Sequence, residues 1–218
     1  CTHRGQILVQ GAKEKGANIK CCYHGRKFGL DGKFQSMPRF KEVYDFPSPK
    51  DDLPELPLHK FGPLSFTCAS PSTRYPFDEW ISPVKELVDF LPLDAMVWDP
   101  SKDRAFEIEA NWALYIENFL EWLHVPFIHK TTLNPSLDMK AYRAELLREG
   151  VSLQLGVAKN KTETVFTLPK EHPFSDVRVS AFWFHLPPNI LINFYPWGLS
   201  LNIVEPIAVN KCVVHYHQ

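Results

Sequence analysis

The chain has 218 residues, 44% of them hydrophobic and 22% charged, with a formal net charge of -1. This composition belongs to a folded globular protein and excludes a disordered one, and the scattered Lys and Arg offer no basic surface to nucleic acid or an anionic membrane. No apolar run approaches the roughly 20 residues of a membrane span, and five dispersed cysteines, odd in number, form no disulfide framework and fit a reducing cytoplasm.

The chain opens on "CTHRG", and "CCYHGRKFGLDG" follows from Cys21. Cys1 and His3 in the first stretch, and Cys21 and His24 in the second, are the same device: a thiolate and an imidazole close together in a turn. One metal centre drawing two ligands from each is the economical reading. Such a set suits a single structural zinc, or a two-iron, two-sulfide cluster in which two thiolates take one iron and two imidazoles the other. The order favours the cluster, because each loop gives Cys first and His second, whereas zinc fingers usually pair Cys with Cys and His with His. Gly5 and Gly25 directly follow the two turns, as suits backbone passing close to a cluster.

Strand-like pieces such as "QILVQG" and "ANIKCCY", with the hairpin turn Asp31-Gly32, make residues 1–47 a small β module. Residues 48–60 lie in a proline-dense stretch, expected to be an extended connector, and residues 61–218 make the second domain. In "FDEWISPVKELVDFLP" a short helix or two is expected, with Pro83 near a helix start. Asn111 is placed to cap a helix running through Trp112, Tyr115, Phe119 and Leu123, which Pro126 should end near Val125. Thereafter "VSLQLGVA", "TETVFTL", "VRVSAFWFHL", "NILINFY", "LSLNIVEP" and "CVVHYH" read as antiparallel strands, so the second domain is α+β. The first residue is a ligand type and the last run is strand-like, so the chain is expected to be a fragment, cut at both ends.

On the predicted helix Asn118, Glu121 and His124 are three residues apart and would share a face, with His129 beyond the proline. Two imidazoles are two thirds of the facial triad with which non-haem Fe(II) enzymes keep positions open for oxygen. The apolar Trp122, Leu123, Phe127 and Ile128 would wall such a site from water. Aromatic faces at Trp183, Phe184, Tyr195 and Trp197 could cage a trimethylammonium group, although sheet core is the simpler reading. His215 and His217 share a strand face and read as surface, and His59, His172 and His185 as structural.

The two loops, followed by Phe28 and "LDG", resemble the signature of Rieske-type iron-sulfur proteins, whose ligands match Cys1, His3, Cys21 and His24; Cys22 is a neighbour. With the connector and "NWALYIENFLEWLHVPFIH", the entire chain resembles the catalytic subunit of a Rieske non-haem iron oxygenase. That family's ENxxDxxHxxxxH pattern falls on Glu117, Asn118, Glu121, His124 and His129. The resemblance implies a Rieske β domain followed by a helix-grip catalytic domain, a Rieske [2Fe-2S] cluster and a mononuclear Fe(II). It makes His124 and His129 iron ligands, with Glu121 as a carboxylate linking His24 of one subunit to His124 of the next. It further implies a homotrimer, O2 and a small-molecule substrate, and a flavin or iron-sulfur reductase as electron donor. Glu121 replaces the usual Asp, which is similar to enzymes acting on quaternary ammonium compounds such as carnitine and glycine betaine, and "HVPFIHK" resembles choline monooxygenases. The family's third iron ligand is an aspartate expected beyond residue 218. Alternatives are an aromatic ring-hydroxylating dioxygenase and an electron-transfer Rieske protein without catalysis.

Overall fold

A computed structural model describes residues 1–11, 16–70 and 72–218. The chain divides into two compact units, one of Cys1–Leu58 with Thr67–Pro71 and the other of His59–Phe66 with Ser72–Gln218.

In the first unit β1 (Ile19–Lys20), β2 (Lys27–Phe28) and β3 (Phe34–Ser36) pair antiparallel in that order. The turn from β2 to β3 is the Asp31-Gly32 hairpin expected from the sequence. Gly29 N–H donates to the Lys33 carbonyl at 2.8 Å, and Gly32 sits at φ +80°, a conformation that suits a residue without Cβ. Among the described residues here, Phe28, Cys21 and Met37 are the buried apolar ones. "QILVQG", in contrast, belongs to no strand among the described residues: alternation marks extended chain, but a strand also needs a neighbour to bond.

Strands β4 (Leu58–Phe61) and β5 (Leu64–Thr67), apart from their end residues Leu58 and Thr67, open the second unit, followed by the helix α1 (Phe77–Val88). Pro83 lies inside α1, not near its start as expected. Its missing N–H would have served the Glu79 carbonyl, and the Ser82 hydroxyl donates there instead, at 3.0 Å. The helix thereby buries Ile81, Pro83, Val84 and Val88 on one side. Then follow β6 (Arg104–Ile108), α2 (Trp112–Leu120), the single-turn α3 (Val125–Ile128), β7 (Arg143–Leu146), β8 (Ser152–Val157), β9 (Val179–Leu186), β10 (Ile190–Tyr195), β11 (Gly198–Ala208) and β12 (Lys211–His217).

Seven of these strands form one antiparallel sheet in the order β6-β12-β11-β10-β9-β8-β7. Consecutive hairpins link β7 to β12 in space as in sequence, except that the long segment between β8 and β9 includes "TETVFTL". That segment is no strand. Toward the start of β9, Phe166 N–H donates to Val179 O at 2.8 Å and the Glu163 carbonyl accepts from the Arg178 guanidinium at 3.3 Å, while the Phe166 ring enters the core and Pro169 follows.

The sheet has two unlike faces. Leu153, Leu155, Phe182, Phe184, Ile192 and Phe194 pack beneath Ile81, Val84 and Val88 of α1 in a dry core. Each of these phenylalanines is fully buried, an apolar burial that contributes on the order of 2–3 kcal/mol per side chain. On the other face Leu191, Val204, Cys212 and Val214 receive Ile116 of α2. Toward the far end of that face the residues turn polar, and the helices α2 and α3 stand over them.

Candidate metal centres

In the first unit the two loops fold alike. Gly5 N–H donates to the Cys1 carbonyl at 3.0 Å and Gly25 N–H to the Cys21 carbonyl at 3.1 Å, each closing a tight turn that presents a cysteine and a histidine. Gly5 and Gly25 hold φ of +68° and +74°, and a Cβ on Gly25 would stand 3.0 Å from Pro38. The loops meet at their histidines: the His3 and His24 rings lie edge to face with centroids 4.7 Å apart. Cys21 is buried, Cys1 partly so, and both thiols are free. Cys22 is exposed, as befits a neighbour. Burial, then the positive fields of His24, Arg26 and Arg4, lower the pKa of His3, which favours the neutral imidazole that binds metal.

A buried cation ties the loops together. Arg26 donates to Thr2 Oγ1 at 2.8 Å and pairs with Asp51 Oδ1 at 2.8 Å, while Thr2 Oγ1 donates to the Asp51 carbonyl at 2.9 Å. The guanidinium also lies over the rings of Phe34 and Phe46. Asp51 in turn accepts from the Ser48 backbone, and these bonds hold its carboxyl below the usual range.

In the second unit the helix does not carry the ligand residues as the sequence suggests. Asn111 caps α2 as expected, accepting from Ala113 N–H at 2.9 Å, but α2 stops at Leu120 and Glu121 is extended (φ -116°, ψ 155°). Gln154 on β8 takes the Phe119 carbonyl at the helix end, supplying a partner that the last turn lacks. His124 begins the next helix, and Pro126 opens that helix instead of ending the first, because a residue without N–H costs nothing in a first turn. Asn118, Glu121 and His124 therefore share no helical face.

The break brings the functional groups together. Extended, Glu121 turns its carboxylate back onto His124, with Oε2 accepting the backbone N–H at 3.2 Å and Oε1 bonded to ring Nδ1. Burial opposes ionisation of Glu121, but the bonds from the His124 ring and the His124 and Leu123 amides prevail, so its pKa is lowered. With Nδ1 committed to the carboxylate, Nε2 is the ring nitrogen left for a metal. His129, at the end of α3, places its ring 5.2 Å from that of His124. Both rings line a pocket of about 390 Å³ with Asn118, Tyr115, Tyr142 and Trp183.

Of the four aromatics singled out in the sequence, Trp183 and Tyr195 line this pocket. Phe184 is in the opposite core, and exposed Trp197 stacks on Tyr195 at 5.1 Å. His215 and His217 pair with Glu205 and Asp103, both at 2.8 Å. Sequence reasoning missed Gln154, Asn193 and Asn202 as pocket residues; their signal is one amide inside a mainly apolar strand.

The donor chemistry fits two centres. Among the described residues no three His, Cys, Asp or Glu side chains are placed to hold one ion. Two thiols and two imidazoles on paired loops suit two irons with two protein ligands each better than one tetrahedral zinc. Among the described residues no helix is long and apolar enough to cross a membrane.

Comparison with known proteins agrees with this division of labour. The family described as Rieske [2Fe-2S] domain matches residues 1–47, and that described as ring hydroxylating alpha subunit (catalytic domain) matches residues 95–218. Chloroplastic choline monooxygenases of Beta vulgaris and Amaranthus tricolor are 28% and 30% identical across the entire chain, which covers 47% and 48% of their lengths. The large oxygenase component of a naphthalene 1,2-dioxygenase system from Ralstonia is 30% identical over 71% of the chain and 36% of its own length. A solved quaternary ammonium Rieske monooxygenase studied for carnitine oxidation by gut microbiota superposes with a TM-score of 0.77 at 18% identity, over 100% of this chain and 57% of that one. Naphthalene 1,2-dioxygenase with bound indole superposes at 0.71 and 18%, over 100% and 56%. The chain thus spans about half the length of the curated relatives it matches. It belongs to the ring-hydroxylating alpha subunits, whose catalytic domain works with a mononuclear iron, and it carries their Rieske [2Fe-2S] domain ahead of that catalytic part.

Proposed function

We propose that the complete protein is a Rieske oxygenase that hydroxylates a small quaternary ammonium compound with O2 and electrons from a flavin or iron-sulfur reductase. The observation that carries this reading is the His124–His129 pair at an aromatic-walled pocket, with His124 oriented by Glu121. Relatives named for choline and for quaternary ammonium oxidation support the substrate class. In this reading Cys1, His3, Cys21 and His24 hold the cluster and His124 and His129 hold the iron, within domains at 1–47 and 61–218 joined by a connector at 48–60. Bound there, the cluster supplies single electrons and the iron supplies oxygen activation.

The chain's own residues do the rest. Glu121 keeps the Nδ1 side of the His124 ring occupied and so fixes which nitrogen faces the pocket. Its side chain is 38% exposed, which leaves an outer edge free to meet His24 of a neighbouring copy, the contact a homotrimer would need. Tyr142 and Trp183 line the pocket and offer ring faces to a cation, whereas Leu123, Phe127 and Ile128, expected from the sequence to wall the site from water, are exposed and outside its lining. A cytoplasmic setting fits five free thiols, although the plant relatives carry the word chloroplastic in their names.

A second reading, an aromatic ring-hydroxylating dioxygenase, is favoured by the naphthalene dioxygenase relative. Turnover of choline, betaine and carnitine against aromatic acids by the complete protein, with His124→Ala beside it, separates the possibilities. Hydroxylation of an ammonium substrate that His124→Ala abolishes is the expected result. Product carrying two oxygen atoms on an aromatic ring would replace the first reading with the second. Turnover that survives His124→Ala would sink both.

A further inference from the structure

The polar end of the sheet face beneath α2 and α3 has a regular construction. Through the strand register Gln154 stands opposite Trp183, Trp183 opposite Asn193, and Asn193 opposite Ser200, so four strands contribute to one row. One step along the same face Asn202 stands opposite Tyr216. Most hydrogen-bonding groups around this floor are already engaged within the protein. Gln154 bridges the Tyr142 hydroxyl and the Phe119 carbonyl, Trp183 Nε1 donates to the Tyr195 hydroxyl at 3.0 Å, and the Tyr115 and Tyr216 hydroxyls share a bond of 2.8 Å. Among the described residues of this floor, two buried acceptors are left over. Asn193 and Asn202 line the pocket, are only 4% and 3% exposed, and each has a buried Oδ1 with no hydrogen-bond partner; Asn193 Nδ2 is taken by Ser200 Oγ at 3.1 Å.

A buried acceptor that finds no donor costs free energy, and a ligand that brings a donor recovers that cost on binding. A quaternary nitrogen has no N–H and a carboxylate has no proton to give, so in the smallest such substrates the donor is a hydroxyl. Resting on the quaternary ammonium reading above, we propose that Asn193 and Asn202 are specificity residues that receive the hydroxyl of an alcohol-bearing quaternary ammonium compound. The substrate O–H donates to one amide oxygen and a water lodged beside it serves the other, while the aromatic walls take the trimethylammonium end. A site built to bond a hydroxyl rejects the isostere lacking it far more strongly than an apolar pocket rejects an extra hydroxyl, because its polar groups are then stranded.

The test is equilibrium binding to the complete, anaerobic protein by titration calorimetry, with choline and with n-propyltrimethylammonium, which replaces the hydroxyl by a methyl group. Choline binding at least about tenfold tighter is expected, with Asn193→Leu/Asn202→Leu reducing that ratio to within about threefold while binding of the propyl compound holds. A ratio near one in the parent protein, or a tenfold ratio that survives in the double variant, overturns this assignment alone and leaves the substrate class standing. If neither compound binds, the quaternary ammonium reading falls and takes the assignment with it. The parent ratio requires no substitution, so the test holds even if the double variant fails to fold.

Discussion

Glu121 is spent twice on His124, once on its ring and once on its amide, and that double use explains why the chain leaves the helix where it does. Because its folded pKa lies below its ordinary value of 4.5, the ionised carboxylate contributes stability that is complete above that value and is lost as the pH falls through the lowered one. Glu121→Gln keeps the size but gives up the charge. In the complete protein it should weaken Fe(II) binding at the histidine pair by roughly 10- to 100-fold, read by metal titration, and leave the visible absorption of the cluster unchanged. Unchanged iron affinity would mean that the carboxylate does not orient its ligand. Arg26 acts in the first unit, where its bonds to Thr2 and Asp51 join the two loops. Removing one partner strands the other in a largely buried site, a loss on the order of 3 kcal/mol. Asp51→Ala should therefore shorten the lifetime of the cluster absorption in urea by about tenfold or more, and an unaltered lifetime would make the pair incidental. The ligand-type residues were legible in the sequence because a Cys–His turn is local chemistry. Asn193 and Asn202 were not, since an asparagine within "NILINFY" or "LSLNIVEP" acquires meaning only when neighbouring strands bring it to one floor.

At the level of elements, the alternating runs from residue 151 onward were legible as β8 to β12, because a half-buried strand writes its two faces into the sequence. What escaped was decided by tertiary partners. The end of α2 depends on Gln154 and Glu121, the interior proline of α1 depends on Ser82, and "TETVFTL" gives its neighbour one backbone-to-backbone bond, from Phe166, which is too few for a strand. Strand β9 also carries a pH dependence. Burial lowers the pKa of His185 from 6.5, against the opposing pull of its bond to the Pro188 carbonyl at 3.2 Å, so the folded protein favours the neutral ring. The unfolded chain takes up a proton as the pH drops below 6.5 and the folded chain resists it, so stability should decline from there toward the lowered value. Melting temperatures at pH 7.5 and 5.5 should differ less in His185→Gln than in the parent, and an equal difference would assign the acid sensitivity elsewhere.

At the level of the molecule, one chain holds two units with different donor chemistry: thiolate and imidazole on the loops of the first, imidazole and carboxylate at a pocket in the second. The order of motifs was readable along the sequence, and the pairing of His3 with His24 and of His124 with His129 is what folding adds. Two separate metal sites are expected of this arrangement, and metal analysis of the complete protein is the decisive experiment. Iron and acid-labile sulfide counts with low-temperature EPR should give a reduced Rieske signal together with iron beyond the cluster's two atoms. His124→Ala should lose only the additional iron, and Cys21→Ser should lose the signal and the sulfide. A colourless zinc protein, or an iron content that His124→Ala leaves untouched, would contradict it.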